Sequence, residues 1–390
     1  MSSRARWLIV LISTPLVILV MVGGLIGAPR AAPQQDASIR DLRTFQEVVS
    51  LISQAYVEEV DIERVMEGAM HGLTDGLDPA SAYLTPEEVR AIESKSPGMP
   101  GDVGLVVTRQ FYLRVLGVRD GSPAAKAGLQ TGDYVRMIDK RPTRDMSAFT
   151  GTRLLRGAPG SKVTLTVIRG NAADPHAIEL TRETTPPEAA TMKPLAGGVA
   201  HVRVAGFGPG TAAALKKIFD GLAAQKLTSA VIDLRGTANG APEDGIAAAR
   251  LFIKSGTIAI RAGRGTEKVT TKSDAADGAV TIPVALLVSS GTGNAAEVFA
   301  AALSGNDRAE LVGEPTAGLA SVQKLVRLPQ NYGLWLTTER YLTVDGAAPI
   351  HERGLRPTLG VAIPTVAFDE VPPTTDEPLN KAAERLRTKK

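Results

Sequence analysis

The chain reads as a multidomain protein of mixed α/β and α+β class, because three different periodicities follow one another along it. Residues 39–98 carry apolar positions at helical three-and-four spacing, residues 99–185 alternate as short strands, and residues 186–366 alternate strand with helix. A length of 390 residues accommodates two or three compact units with a sizeable core. Composition narrows the functional classes: 44% hydrophobic and 22% charged residues with a formal net charge of +3 describe an ordinary globular protein. Lys and Arg are scattered without an aromatic-basic stripe, so no nucleic-acid partner is expected. The absence of cysteine excludes disulfides, thiol catalysis and thiolate metal sites. His71, His176, His201 and His351 lie too far apart for any zinc-binding spacing, and no metal is expected.

Residues 1–30 open with Arg4 and Arg6, followed by the uncharged "WLIVLISTPLVILVMVGGLIGAP" at 7–29, long enough as a helix to cross a bilayer. The expected arrangement is a single-pass anchor in the cytoplasmic membrane with the bulk of the chain on the exported side. Arg30 spoils the small-x-small cleavage pattern in "GAPRAAP", which favours an anchor that stays attached. Residues 31–38 read as a polar linker. In the helical region 39–98, Leu42, Phe45, Val48, Val49, Ile52 and Tyr56 are predicted to form one buried face. A second helix runs through "IERVMEGAMHGLTDGL", and Thr85 ahead of Pro86 and Glu88 marks a third helix start.

Between 99 and 185, "GDVGLVVTR" and "YLRVLGV" lead into the cassette "GSPAAKAGLQTGDYVRMIDKRPT" and then "LLRGAPGSKVTLTVIRG". This run resembles a PDZ domain. The resemblance implies that a peptide adds as a strand at a sheet edge while backbone amides of a glycine loop hold its terminal carboxylate. The loop that fits is Val103, Gly104, Leu105 and Val106, with Gly104 permitting close backbone approach.

Residues 186–366 alternate strands such as "SAVIDLRG", "VALLVS" and "AELVGEP" with helices such as "GTAAALKKIFDGLAAQ" and "NAAEVFAAALSG". That order predicts a largely parallel sheet, whose ligands bind at the carboxyl ends of the strands. The loops at 235–243 and 290–297 fall there. Residues 367–390 read as a C-terminal helix and tail.

In this order the membrane signal, "LDPASAYLTPEE", the PDZ cassette, "VIDLRG", "NAAEVFAAALSGNDRAELVGEPTAGLASVQ", "RYLTVDGAAPIHERGLRP" and "DEPLNKAAERL" resemble the C-terminal processing peptidases, or tail-specific proteases. The resemblance implies a crotonase-like/ClpP-like peptidase core, a serine endopeptidase with a serine/lysine dyad, no cofactor, and homo-oligomerisation. Aligned residue by residue, the nucleophile position holds Asn294 and the lysine position Leu319, at the family's own spacing, while the orienting glutamine is retained as Gln323. In the oxyanion loop Asn239 replaces the first glycine ahead of Gly240, and Ala295 follows the nucleophile position. Asn294 is read as a helix N-cap with Glu297 closing a capping box, which keeps the turn without supplying a hydroxyl. A relocated dyad would have to draw on Ser289, Ser290, Thr292, Ser321 and Lys324, but strand alternation turns Lys324 away from the face of Gln323.

The expected function is therefore a pseudoprotease that binds C-terminal or unfolded segments of envelope proteins, or that pairs with an active homologue or adaptor. An active peptidase with a non-standard nucleophile and a purely structural envelope scaffold are the alternatives.

Overall fold

The computed structural model describes residues 33–94, 99–144, 146–170, 174–184, 190–368, 370–371 and 373–388. The apolar stretch 7–29 expected to anchor the chain lies outside the described residues. Among those described, no helix is long and apolar enough to cross a membrane. The chain divides into two compact units, residues 1–69 and 70–390.

The first unit holds helix α1 (Pro33–Ala55) and the start of α2 (Ile62–Asp75). Residues 33–38, most of the stretch expected as a linker, are helical. The face predicted to be buried is only partly covered: Leu42 and Tyr56 are 63% and 62% exposed, and only Phe45, Val49 and Ile52 are half-buried. Periodicity reports that a helix is amphipathic, not what covers its apolar side.

In the second unit β1 (Ala82–Leu84) precedes α3 (Pro86–Glu93), whose start matches the sequence reading. Thr85 Oγ1 accepts from the Glu88 N–H at 3.3 Å and Glu88 Oε2 accepts from the Thr85 N–H at 3.0 Å, a reciprocal capping box. Next come β2 (Gly101–Asp102), β3 (Leu105–Gln110), β4 (Tyr112–Val118), α4 (Pro123–Lys126), β5 (Tyr134–Ile138), β6 (Arg141–Pro142), α5 (Ala148–Leu155), β7 (Lys162–Ile168), β8 (His176–Thr181) and β9 (Glu183–Thr184). Their main sheet has the order β3-β4-β5-β7-β8, all antiparallel, and leaves β3 as an edge strand. Alternate residues, among them Leu113, Val115, Val135, Leu165 and Val167, fill its core.

The remaining elements are β10 (Ala190–Leu195), β11 (Val199–Val204), α6 (Thr211–Asp220), β12 (Ser229–Asp233), α7 (Pro242–Ala249), β13 (Thr257–Gly263), β14 (Val269–Lys272), β15 (Val284–Val288), α8 (Ala295–Gly305), β16 (Ala309–Gly313), β17 (Ser321–Arg327), β18 (Gly333–Leu342), β19 (Leu359–Gly360) and α9 (Glu377–Thr388). The sheet of this region runs β10-β11-β12-β15-β16-β19 and is parallel from β11 onward. Both of its faces are covered, which is why β12 and β15 are buried at every residue. Val202, Ile232 and Leu286 pack with residues of α6, α7 and α8, whereas Val231, Leu287 and Val312 pack with Ala382, Ala383 and Leu386 of α9. A second sheet, β1-β18-β13-β14 with β17 on β18, carries Gln323.

Candidate functional site

Strand β15 ends in a turn built by its own side chains. Ser289 Oγ accepts from the N–H groups of Gly236 and Gly291, both at 3.2 Å. Thr292 Oγ1 accepts from the Ser289 N–H at 3.0 Å and donates to the Leu234 carbonyl at 2.8 Å. The turn delivers Asn294 with φ 50° and ψ −115°, then enters α8, buried from Ala295 to Leu303. A side chain held at positive φ on a sharp strand-to-helix turn is the geometry of a nucleophile elbow. Asn294 occupies the N-cap position of α8, as the sequence predicts, and Glu297 Oε2 accepts from its N–H at 3.1 Å. Its dihedrals lie outside the β region usual for a cap. The Asn294 amide turns elsewhere: Nδ2 donates to the Gly240 carbonyl at 2.9 Å, and Oδ1 is buried without a hydrogen-bond partner.

Leu319 does sit at the elbow. A Cβ on Gly293 would lie 3.2 Å from Leu319 Cδ1 and 3.2 Å from Ala238 Cβ, so hydrocarbon lines this side of the turn. Glu297 fixes this loop as well. Its fully buried carboxylate accepts from Thr316 Oγ1 at 2.5 Å and from the N–H groups of Gly318 and Leu319 at 2.6 and 2.7 Å. Burial pushes the Glu297 carboxyl up, and these hydrogen bonds only partly oppose the rise. The sequence reading saw Glu297 only as a cap partner; its tie to residues 316–319 carries no local signal.

Gln323 is placed by a polar chain rather than by residue 319. Its Nε2 donates to Ser321 Oγ at 2.8 Å and to Thr337 Oγ1 at 3.2 Å, and Thr337 Oγ1 donates to Asp78 Oδ1 at 3.2 Å. Asp78 also accepts from the Ala80 and Ser81 N–H groups, which explains the work of the "LDPASAY" segment: it braces β17 and β18.

The oxyanion-loop residues Asn239, Gly240 and Ala295 come together at the elbow, but the loop turns a carbonyl toward residue 294. An oxyanion requires donors there. Gly240 has φ 95°, and a Cβ on it would lie 2.4 Å from the Phe207 carbonyl, so only glycine fits. Of the five residues a relocated dyad would draw on, four have other partners. The hydroxyls of Ser289 and Thr292 hold the turn, and Ser321 Oγ donates to the Leu319 carbonyl at 3.2 Å. Lys324 is exposed and paired with Glu339 at 3.1 Å, on the side away from Gln323 as strand alternation predicts. Ser290 lines a cavity of about 430 Å³ at the carboxyl ends of the parallel strands together with Arg114, Arg203, Arg235, Asp233 and Glu314, and no lysine lines it. Burial alone would raise the Asp233 carboxyl, but hydrogen bonds from His201 and Arg235 and the charges of Arg235 and Arg203 hold it well below the usual range.

On the other side, Gly104, Leu105 and Val106 line a cavity of about 240 Å³ with Thr152 and Arg156 of the α5 region and with Asn239. Val103 is fully buried in the core of the small domain and does not line it. The cavity therefore runs from the start of edge strand β3 to the oxyanion loop.

A largely parallel α/β core with a sharp strand-to-helix elbow, joined to a small antiparallel domain with an edge strand, defines a PDZ-bearing protein on a peptidase scaffold. Residues 198–361 match peptidase family S41, residues 114–169 match a PDZ domain, and residues 27–88 match the N-terminal domain of the activating protease CtpB. The chain is 30% identical over 332 residues to the carboxy-terminal-processing protease of Bartonella bacilliformis, covering 83% of this chain and 76% of that one. It is 27% identical over 340 residues to the carboxy-terminal processing protease CtpA of Bacillus subtilis, covering 86% and 72%. The solved photosystem II D1 C-terminal processing protease has the same fold, with a TM-score of 0.68 at 24% identity over 88% of this chain and 96% of that one. The chain belongs to the carboxy-terminal-processing protease family, peptidase family S41.

Proposed function

We propose that this family member binds protein C-termini without cleaving them. One observation carries the reading: the elbow that presents a nucleophile holds Asn294, its amide tied to the Gly240 carbonyl, and Leu319 stands at the family's lysine position. An amide is not an acyl nucleophile at neutral pH, and leucine accepts no proton. Two features support binding. Among the described residues β3 lies at the end of its sheet, and the loop at Gly104 opens onto the cavity that reaches Asn239. The relatives' names as carboxy-terminal-processing proteases support a C-terminal or unfolded peptide segment as the ligand. With residues 7–29 as an anchor, the ligands are segments of envelope proteins met on the exported side, and an active homologue or adaptor can act on what is held. The exposed apolar residues of α1 support self-association of the protein.

The test is turnover and binding of an unstructured polypeptide with an apolar C-terminus. The natural protein should bind it and leave it intact, as should Asn294→Ala. Asn294→Ser combined with Leu319→Lys should begin to cut, because the elbow geometry and Gln323 are already in place. Cleavage by the natural protein that survives Asn294→Ala would overturn the reading and direct the search to Ser290. Absence of both cutting and binding would leave a structural scaffold.

A further inference from the structure

We propose that Asn294 is a self-modification site, at which the folded chain converts its own asparagine to aspartate or isoaspartate through a cyclic imide.

The argument rests on ring geometry. The five-membered imide contains Cα, Cβ, Cγ and the carbonyl carbon of residue 294 together with the nitrogen of Ala295. Closing it requires Cβ and that nitrogen to be nearly eclipsed about the Cα–C bond. On an L residue Cβ stands about a third of a turn from the backbone nitrogen around this bond. At the Asn294 ψ of −115° it therefore nearly eclipses the Ala295 nitrogen. Helical and extended residues have ψ far from this value, so asparagines in regular elements are held out of reach of the reaction. Asn306, at the other end of α8, has ψ 19°.

A free peptide seldom adopts φ 50° at a non-glycine residue, and here the fold has already met the cost of doing so. Holding the two reacting atoms in this relation is the effect by which near-attack geometry speeds a reaction. The Ala295 N–H belongs to the first turn of α8 and has no acceptor within the helix. Asn294 itself is only partly buried. A serine in the same elbow carries no amide, and the conformation then has no such consequence.

In the first step the Ala295 nitrogen attacks Asn294 Cγ. The N–Cγ bond forms, the Cγ–Nδ2 bond breaks, and ammonia leaves with the proton lost by Ala295. Water then adds to one imide carbonyl. Opening the bond to Cγ gives an ordinary aspartate at position 294, and opening the bond to the main-chain carbonyl gives isoaspartate, with an extra methylene in the backbone of the elbow. Either product puts a carboxylate beside that of Glu297.

The experiment compares the full chain kept folded with the same chain denatured in urea, at one mildly alkaline pH and temperature, and follows both by peptide mapping with mass spectrometry. The tryptic peptide 273–308 contains both Asn294 and Asn306, which serves as the internal reference. Folding should speed conversion at Asn294 on the order of tenfold or more and slow it at Asn306. Asn294→Gln, whose longer side chain must close a six-membered ring, should lose the mass change at 294 in the folded chain. Conversion at Asn294 that is equal or slower in the folded chain overturns the proposal, as does conversion in folded Asn294→Gln at the natural rate.

Discussion

At the scale of single residues, the site turns on two side chains whose roles the sequence divides differently from the structure. The family resemblance puts residue 294 at the nucleophile position through the motif around it and its spacing to Leu319, but nothing in those letters predicts its conformation. A cap in the β region and an elbow at positive φ present the same letters, Asn followed three residues later by Glu. Glu297 was legible as a partner of that turn, while its grip on Gly318 and Leu319 was not, because those contacts span about twenty residues of intervening sequence. This buried carboxylate now holds both halves of the site. Glu297→Ala should cost about 3 kcal/mol or more, since it strands the Gly318 and Leu319 N–H groups and the Thr316 hydroxyl in a dry environment. Its pH signature has a definite sign. Burial raises the folded-state carboxyl above its unfolded value, so between those two values the folded chain binds more protons and loses stability as pH rises. Urea midpoints measured across that window should fall for the natural protein relative to Glu297→Gln. Parallel curves would mean that the carboxyl is not raised.

At the scale of elements, the strands and helices of the parallel sheet and of the PDZ cassette are readable, because their periodicities are simple and the cassette fixes its turn by glycine and proline. The sheet that joins β13, β14 and β18 to β1 and β17 is not, since its strands pair across long sequence separations, and α1 has an apolar stripe that is left largely uncovered. The glycine loop that opens β3 shows how an element depends on one backbone position. Gly104 has φ 84°, and a Cβ there would stand 2.2 Å from Ser122 Cβ, the residue that caps α4. Gly104→Ala therefore meets both left-handed strain and a clash, and should cost roughly 2–4 kcal/mol. Gly121 supplies the control: it has φ 73° but nothing within 4 Å of an added methyl, so Gly121→Ala meets the strain alone. Thermal unfolding and fluorescence anisotropy with a labelled C-terminal peptide separate the two. Gly104→Ala should lose peptide affinity by about tenfold or more, and Gly121→Ala should retain it. Equal affinity in both would remove the Gly104 loop from peptide binding.

At the scale of the whole second unit, the small domain is joined to the α/β core by backbone contacts close enough to admit only glycine. A Cβ on Gly291 would lie 2.0 Å from the Leu116 carbonyl, and one on Gly117 would lie 2.2 Å from the Gly236 carbonyl. The segment after β19 adds a strap. The Val366 carbonyl accepts from Arg169 at 2.9 Å and from Gln130 at 3.2 Å, and Phe368 lies under the same guanidinium at 3.8 Å. Arg169 in turn pairs with buried Asp133 at 2.7 Å. By contrast the Arg203–Asp120 bridge between the two bodies is open at its aspartate and contributes little. If docking depends on close backbone approach rather than on that ion pair, Gly291→Ala should disturb it and Asp120→Ala should not. The added methyl cannot be accommodated by a rotamer, because a main-chain oxygen stands in its way, so the small domain must move or the elbow turn must. Gly291→Ala should cost roughly 1–3 kcal/mol and raise amide hydrogen exchange at 114–118 and 130–132, with the core strands protected as before. Unchanged exchange in Gly291→Ala, or an equal rise in Asp120→Ala, would show that the charged rim and not the glycine contact holds peptide domain and elbow together.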